Sequence, residues 1–266
     1  MINILQYQYI IYILGILLSI ISAMYITVAN VRYNTEESVF NKKSIEIFKQ
    51  KIPYFVLYTI IQLATYIMLV YVTIKDKPRL TYLEIVNLIQ WMVISPLLVI
   101  TFCIDVKERI IPNRVTMLLF QIAVVFSIIS TIDLNQSSFN ILQLKQQILG
   151  MVFAFGIFAT MAVLGGIIAG KEAMGMGDIK FMTPIGLLFG IGKIFDITLG
   201  AFLISVVYAI IIIIYRKIKK IDDEYIPFGP FLVLSIYIMM FLNDGTIVQY
   251  FVKFTNMIAD KILMLF

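Results

Sequence analysis

The 266-residue chain contains no histidine and a single cysteine, Cys103. Without histidine, Ser-His and Cys-His catalysis and histidine-ligated metal centres are excluded. One cysteine permits neither an intrachain disulfide nor a Cys-x-x-Cys zinc site. The side chains that remain for catalysis are those of Asp, Glu, Lys, Tyr, Ser and Thr.

Charged residues are also scarce, at 14% of the chain, while hydrophobic residues make up 61%. The apolar residues form runs whose lengths are close to the ~20 residues that a membrane-spanning helix needs. The sequence therefore predicts an all-α polytopic membrane helix bundle. Its eight predicted segments are 9–29, 53–74, 85–104, 114–132, 148–169, 179–195, 197–215 and 227–243. The sixth and seventh are poorly separated, and the break between them is marked by Gly190, Gly192, Lys193 and Asp196.

The Lys and Arg residues cluster between the predicted spans and give the chain a net charge of +5. Of these 21 residues, 14 fall on one side of the predicted topology. The positive-inside rule assigns that side to the cytoplasm and both termini to the outside of a cytoplasmic membrane. The basic loops then face lipid head groups, and no nucleic-acid partner is predicted.

Residues 1–266 are predicted to form one membrane domain, in which residues 30–52 make a short cytoplasmic loop. The first span is too long for the core of a signal peptide and is expected to be an uncleaved helix. After the last span, apolar residues recur at helical spacing from Thr246 to Phe266. This pattern predicts an amphipathic helix lying on the outer membrane surface.

Two acidic residues stand at the edges of predicted spans rather than in loops. Asp105 ends the third span, and Asp178 opens the sixth, both on the predicted cytoplasmic side. Ionisable groups at such positions are candidates for function. Two neighbouring carboxyls share a proton, so one can accept a proton from water while the other polarises a carbonyl group. This chemistry requires neither histidine nor metal.

The residues around these aspartates suggest a shaped site. Gly175 and Gly177 permit a tight or positive-φ backbone and close approach of a peptide strand. Pro112 and Asn113 form a helix breaker beside a hydrogen-bonding amide. Lys180 is placed either to pair with Asp178 or to draw substrate carbonyl groups, and a lipid-facing anchor is the alternative.

Two segments, Ile104-Asp-Val-Lys-Glu-Arg-Ile-Ile-Pro-Asn113 and Gly175-Met-Gly-Asp-Ile-Lys180, resemble the signature motifs of type IV prepilin peptidases, which are GxGD-type aspartyl proteases. The stretch Ile226-Pro-Phe-Gly-Pro230 is similar to the motif that opens the last span in that family, and Ala29-Asn-Val-Arg32 resembles the end of its first span. The motifs extend over most of the chain, and they occur in the family's order.

The resemblance implies that Asp105 and Asp178 form the catalytic pair of a prepilin leader peptidase. Its substrates would be prepilins or pseudopilins, whose basic leader is removed at the cytoplasmic membrane face. The best-known bacterial members carry a zinc-binding cysteine domain in the first cytoplasmic loop, and this loop is short and cysteine-free here. We therefore expect no zinc and no cofactor for proteolysis. S-adenosylmethionine is expected only if the family's N-methyltransferase activity is retained, which the shortened loop leaves open.

Other interpretations of the same residues are simpler. Asp105 and Asp178 could form ordinary ion pairs with Lys107 and Lys180. Cys103, in an apolar setting without histidine, is expected to be a buried packing residue. An ion- or proton-coupled transporter is the alternative function, because membrane-edge acids and intramembrane glycines also suit a carrier. The sequence shows no repeated halves that would favour it.

Overall fold

The computed structural model describes residues 2–33, 46–47, 49–75, 77, 79–133, 138–170, 174–219, 227–242 and 245–263. Eight helices of 13 residues or more lie in these ranges. They are α1 (Ile4–Arg32), α2 (Ile52–Ile74), α3 (Tyr82–Glu108), α4 (Asn113–Thr131), α5 (Ile141–Ala169), α6 (Met176–Lys219), α7 (Gly229–Phe241) and α8 (Thr246–Leu263). The predicted all-α class is confirmed. Most of the predicted loop 30–52 lies outside the described residues.

Two pairs of two-residue strands link helix ends. Strand β1 (Ile2–Asn3) pairs antiparallel with β2 (Arg79–Leu80), with Ile2 opposite Leu80. Strand β3 (Ile132–Asp133) pairs in the same sense with β4 (Ser138–Phe139). These pairs stand where α1, α3 and α5 begin and α4 ends. We call this the far end of the bundle, and the opposite end, which holds Asp105 and Asp178, the aspartate end.

Among the described residues, six helices are long and apolar enough to span a membrane, or seven if α7 and α8 count as one bent span. The chain is therefore a multi-pass membrane protein. The difference from the eight predicted segments lies mainly in α6, which contains both the sixth and the seventh. Gly190 interrupts α6 with φ 71° and ψ 178°, within the break that the sequence indicated.

Chain length shows that α6 doubles back at Gly190. A straight helix of 44 residues would be about 66 Å long. The ten residues from Lys219 to Gly229 reach at most ~36 Å when fully extended. Gly229 nevertheless contacts Asp105 at the aspartate end, where α6 also begins. The part of α6 before Gly190 and the part after it are thus two limbs of a hairpin.

A proline inside α3 is matched by a hydrogen bond from another helix. Pro96 has no N–H, so the carbonyl of Met92 loses its partner within the helix. The Tyr66 hydroxyl on α2 donates to that carbonyl at 2.7 Å and lies 2.7 Å from the Ser22 hydroxyl on α1. In a bilayer an unmatched carbonyl would be costly. This contact therefore stabilises the packing of α1, α2 and α3.

Helix α5 packs against the first limb of α6 through two facing glycines. A Cβ added at Gly150 would overlap the Gly186 carbonyl, and one at Gly186 would overlap the Gly150 carbonyl and lie 2.9 Å from Ala154 Cβ. Small residues allow such close approach between membrane helices. Because Asp178 lies on the same limb as Gly186, this contact also fixes the position of the first turn of α6.

We expect Gly186→Ala to destabilise the protein, because the added methyl group would separate two backbones. Overpacking of this kind costs about 1–3 kcal/mol. The control is Gly156→Ala on α5, where an added Cβ meets nothing within 4 Å. Thermal unfolding in detergent should show a lower midpoint for Gly186→Ala alone. Equal midpoints for the two variants would contradict the close packing.

Candidate active site

Asp105 lies in the last turn of α3, where the chain reverses. The next turn ends at Arg109, whose φ of 58° is left-handed and whose N–H donates to the Asp105 carbonyl at 2.9 Å. The Asp105 side chain is 5% exposed, and its Oδ2 atom is buried with no hydrogen-bond partner among the described residues. The carboxyl group is thus withdrawn from solvent at a helix end.

Asp178 lies in the first turn of α6, two residues after its start at Met176. Its N–H donates to the Gly175 carbonyl at 3.1 Å, which forms the turn that opens the helix. The side chain is 8% exposed. A carboxylate is favoured at this position because the peptide dipoles leave partial positive charge at a helix N-terminus.

The fold brings these two carboxyl groups together although they are 73 positions apart. Asp178 lies within electrostatic reach of Asp105. Within the described residues neither carboxylate forms a salt bridge. Lys107 pairs with Glu108 at 2.8 Å, and Lys180 donates to Asn113. The simpler interpretation of two separate ion pairs is therefore wrong for this part of the chain. Two buried carboxyls within electrostatic reach of each other do not ionise together easily, so the state with one of them protonated is favoured.

Each carboxyl group rests against the backbone of a glycine. A Cβ at Gly229, the first residue of α7, would lie 2.6 Å from Asp105 Oδ2. A Cβ at Gly175 would lie 3.5 Å from Asp178 Oδ2. The N–H groups of these two glycines face the respective carboxyls. The third motif of the sequence thus closes over Asp105, a contact that its position in the chain did not reveal.

The other predicted site residues join the first two motifs. Gly177 packs on the loop after α3, since a Cβ there would lie 3.1 Å from Ile111 Cβ. Lys180 Nζ donates to Asn113 Oδ1 at 3.1 Å, so the predicted pairing of Lys180 with Asp178 is wrong. Pro112 is buried and precedes α4, and its carbonyl accepts from the N–H groups of residues 115 and 116 at 3.1 and 3.2 Å.

Positive φ angles were one of two uses predicted for the glycines of the second motif. Among the described glycines, only Gly170, Gly190 and Gly245 have positive φ. Gly175 and Gly177 therefore allow neighbouring groups to pack close to the backbone. A side chain at Gly177, for example, would press on Ile111. The left-handed residue nearest the site is Arg109, which the sequence did not indicate.

An aromatic cluster holds the start of α7 in place. The Phe228 ring centroid lies 6.4 Å from that of Phe158 on α5, 5.3 Å from that of Phe202 on α6 and 6.4 Å from that of Phe231 on α7. Tilted rings at such separations attract each other through their quadrupoles. Because Phe228 directly precedes Gly229, this packing fixes the glycine against Asp105.

A largely apolar groove runs beside the site. It has a volume of about 650 Å³ and is lined by parts of α1, α2, α3 and α7. Ile104 and Val106, on either side of Asp105, form part of its wall. On α2 it extends from Tyr54 to Thr65, which corresponds to about 16 Å along the helix axis. Cys103 lines the groove and is half-buried there. The prediction of a buried packing residue is therefore only partly correct.

A third buried carboxylate lies away from this site. Asp196, on the second limb of α6, is fully buried, and its Oδ1 accepts from the Val248 N–H at 2.9 Å. Val248 is in the first turn of α8, so the carboxylate caps that helix from another one. The sequence placed Asp196 in the break between two spans, and nothing in its spacing indicated this partner.

The fold and the site together define a multi-pass membrane protein with two buried carboxyls within electrostatic reach of each other at one end of a helix bundle. The model of the type IV leader peptidase family matches residues 92–214, which include both aspartates. This match and the relatives below confirm the resemblance drawn from the motifs.

The similar proteins all carry the name prepilin leader peptidase/N-methyltransferase. The protein from Vibrio cholerae is 29% identical over 140 residues, which cover 53% of this chain and 50% of the relative. The protein from Aeromonas salmonicida is 22% identical over 188 residues, covering 71% and 59%. The protein from Pectobacterium carotovorum is 28% identical over 154 residues, covering 57% and 50%. The chain thus spans about half the length of these curated relatives. No solved structure matches it.

Proposed function

We propose that this protein is an aspartic endopeptidase that removes the basic leader from prepilins or pseudopilins at the cytoplasmic face of the cytoplasmic membrane. The observation that supports it most is the pair of buried carboxyls, Asp105 and Asp178, held together without a salt bridge in the described part of the chain. The relatives' names supply the substrate class. The positive-inside rule supplies the face, since 14 of the 21 Lys and Arg residues fall at the aspartate end in the predicted topology.

The pair would hydrolyse the peptide bond through one activated water molecule. The ionised carboxyl takes a proton from water while the protonated carboxyl donates a hydrogen bond to the scissile carbonyl. Water oxygen adds to the carbonyl carbon, the C–N bond breaks, and the leaving nitrogen receives a proton. The two carboxyls titrate as a unit, so neither role belongs to one residue in advance.

The groove beside Asp105 suits a substrate that is itself partly in the membrane. The scissile bond would lie at the aspartates while the apolar segment that follows it lies along α2 and α3. The groove's 16 Å would take about 11 residues of such a helix. The leader on the other side of the bond would remain at the membrane surface, near the basic and acidic loops.

A bulky residue in the groove should weaken substrate binding. Ile61 lines the groove on α2, whereas its neighbour Ile60 is 60% exposed and lies outside it. We expect Ile61→Trp to lower kcat/KM for a full-length prepilin by roughly 10-fold, because a groove-blocking ring displaces a helix that contributes binding energy. Ile60→Trp should leave kcat/KM unchanged. A short peptide without the apolar segment should be cleaved equally by both variants, and equal effects on the prepilin would contradict this use of the groove.

N-methylation of the new N-terminus is a separate question. The relatives' names include this activity, but they match the chain over about half their length. S-adenosylmethionine as a cofactor, and the absence of zinc, therefore stay predictions. The mass of the new N-terminus would show whether a methyl group is added when S-adenosylmethionine is supplied.

The function is tested by incubating the detergent-solubilised protein with a prepilin. The expected result is a leader-sized increase in mobility, with product masses that place the cut at the leader junction. A transporter would leave the prepilin intact. The comparisons do not favour that alternative, since the matched family is one of peptidases.

A further inference from the structure

A hydrogen-bonded pair of polar side chains lies in the wall of the groove, near the level of the aspartates. Asn30 is in the last turn of α1 and Tyr58 is in α2, and both line the groove. The Asn30 Nδ2 atom donates to the Tyr58 hydroxyl at 3.0 Å. The Cys103 thiol lies beside both side chains, and Cys103 precedes Asp105 by two residues of α3, which is about 3 Å along the helix axis.

The Asn30 amide differs from two other polar groups of the groove in having an unmatched atom. The Thr65 hydroxyl donates to the Ile61 carbonyl at 2.8 Å, and the Tyr237 hydroxyl donates to the Ser95 carbonyl at 3.1 Å. Asn30 Oδ1, by contrast, is shielded from solvent and has no hydrogen-bond partner among the described residues. A buried acceptor without a protein partner is destabilising unless a ligand supplies the donor.

A molecule that occupies the groove can reach this unmatched oxygen. Asn30 is only half-buried, and the terminal torsion of an asparagine side chain has a broad minimum, so a small rotation presents Oδ1 to the groove. The walls around it are largely apolar, and a donor that enters the groove loses its hydration. The amide oxygen is therefore suited to accept from an N–H or O–H group of a bound substrate.

A helical substrate segment brings such donors with it, because the first four N–H groups of a helix have no partner within the helix. In the proposed function the scissile bond lies at the aspartates, so the helix that follows it begins near the level of Asp105 and Asn30. Asparagine is among the preferred residues for capping helix N-termini through the side-chain oxygen. The protein already contains one cap between separate helices, since Asp196 on α6 accepts from the Val248 N–H of α8.

We propose that Asn30 caps the N-terminus of the substrate helix, with Oδ1 accepting a backbone N–H from the first turn after the scissile bond. The Tyr58 hydroxyl would hold the amide in place through its contact with Nδ2. Asn30 is then a positioning residue, because the cap sets where the helix begins and so brings the scissile bond to Asp105 and Asp178. The proposal rests on the peptidase function and names the backbone feature of the substrate that the groove recognises.

The test uses synthetic prepilin peptides that keep the leader and the apolar segment. In each peptide one backbone N–H, at the second, third or fourth position after the scissile bond, is replaced by an ester oxygen. This change removes a donor and leaves every side chain in place. We expect one of the three esters to lower kcat/KM of the unmodified protein by about 10-fold, or about 1.4 kcal/mol. If none of the three lowers kcat/KM, Asn30 does not cap the substrate.

The variant Asn30→Leu shows whether Asn30 is the acceptor. With the all-amide peptide its kcat/KM should be about 10-fold below that of the unmodified protein. The ester that lowers kcat/KM of the unmodified protein should have no further effect on this variant, because the two changes remove the same hydrogen bond and are not additive. A purely structural role of Asn30 would lower kcat/KM by the same factor for every peptide, and that result would overturn the proposal.

The matched control is Thr59→Val. Thr59 is next to Tyr58 on α2, its hydroxyl donates to the Phe55 carbonyl at 2.8 Å, and it is not among the described residues that line the groove. With each peptide its kcat/KM should equal that of the unmodified protein. The same loss of sensitivity to the ester in Thr59→Val as in Asn30→Leu would contradict the proposal.

A second variant keeps the proposal open to refutation if Asn30→Leu fails to fold. Tyr58→Phe retains the ring but removes the hydroxyl that holds the amide, so the same ester should lower its kcat/KM less than it lowers that of the unmodified protein. An undiminished ester effect would contradict the cap. A protein that cleaves no peptide would refute the peptidase function itself, whereas cleavage that is indifferent to Asn30 and to the esters would refute only the cap.

Discussion

Replacing either Asp105 or Asp178 by Asn should abolish cleavage of a prepilin by the purified protein. Asn is nearly the same size as Asp but can neither accept the proton of the attacking water nor share a proton with its neighbour. Loss of a general acid or base costs roughly 100- to 10,000-fold in rate, and the double variant should be little worse than the single ones, because the pair acts as a unit. Initial rates of leader release, followed by mass spectrometry, measure the effect.

The matched control is Glu108→Gln. Glu108 lies one turn from Asp105 on the same helix, is partly exposed and pairs with Lys107. Glu108 also lines the groove, so its substitution can change KM, but kcat should stay close to that of the unmodified protein because a surface ion pair of this kind contributes little. Midpoints of thermal unfolding close to that of the unmodified protein would show that the Asn variants are folded. Appreciable turnover by a folded Asn variant would rule out the two-carboxylate centre.

The substitution Gly229→Ala should have the second-largest effect, although it lies 124 positions from Asp105. Its added Cβ would lie 2.6 Å from Asp105 Oδ2 and 3.0 Å from its Cγ. The group that gives way is the carboxyl itself, so the loss should appear in kcat rather than in stability. We expect kcat to fall by about 100-fold, because small displacements of a catalytic group cost this much.

Gly175→Ala provides the comparison at the other aspartate. Its Cβ would meet Asp178 Oδ2 at 3.5 Å, an ordinary contact distance. We expect at most a ~10-fold loss of kcat, because the carboxyl can keep its position. The same kcat in both alanine variants would show that Gly229 does not position Asp105. Unfolding of the Gly229→Ala variant is not expected, since alanine favours helices over glycine by about 1 kcal/mol.

The helices and the two aspartates could be predicted from the sequence because their signals are local. Long apolar runs mark the spans, and the acids at their ends stand out against an apolar background. The break in α6 could also be predicted, because Gly190 is one of the residues that mark it in the sequence, although the predicted boundary between the sixth and seventh spans lies a few residues later, at 195–197. That the break returns the chain to the aspartate end depends on contacts between helices, which local patterns do not encode.

The pairings within the site were harder to predict than its members. Closeness in sequence predicts a pairing of Lys180 with Asp178, yet the partner of Lys180 is Asn113, 67 positions away. The closure of Gly229 on Asp105 and the capping of α8 by Asp196 likewise join distant segments. Such pairings follow from the way the helices pack, and neither periodicity nor spacing in a single sequence predicts that packing.

The most direct test of the two-carboxylate mechanism is the rate of leader release by the purified full-length protein in excess chelator, with Cys103 replaced by Ser. If Asp105 and Asp178 alone activate water, this rate will equal that of the untreated protein. Loss of cleavage on chelation that added metal restores, or loss on removal of the thiol, would contradict the mechanism.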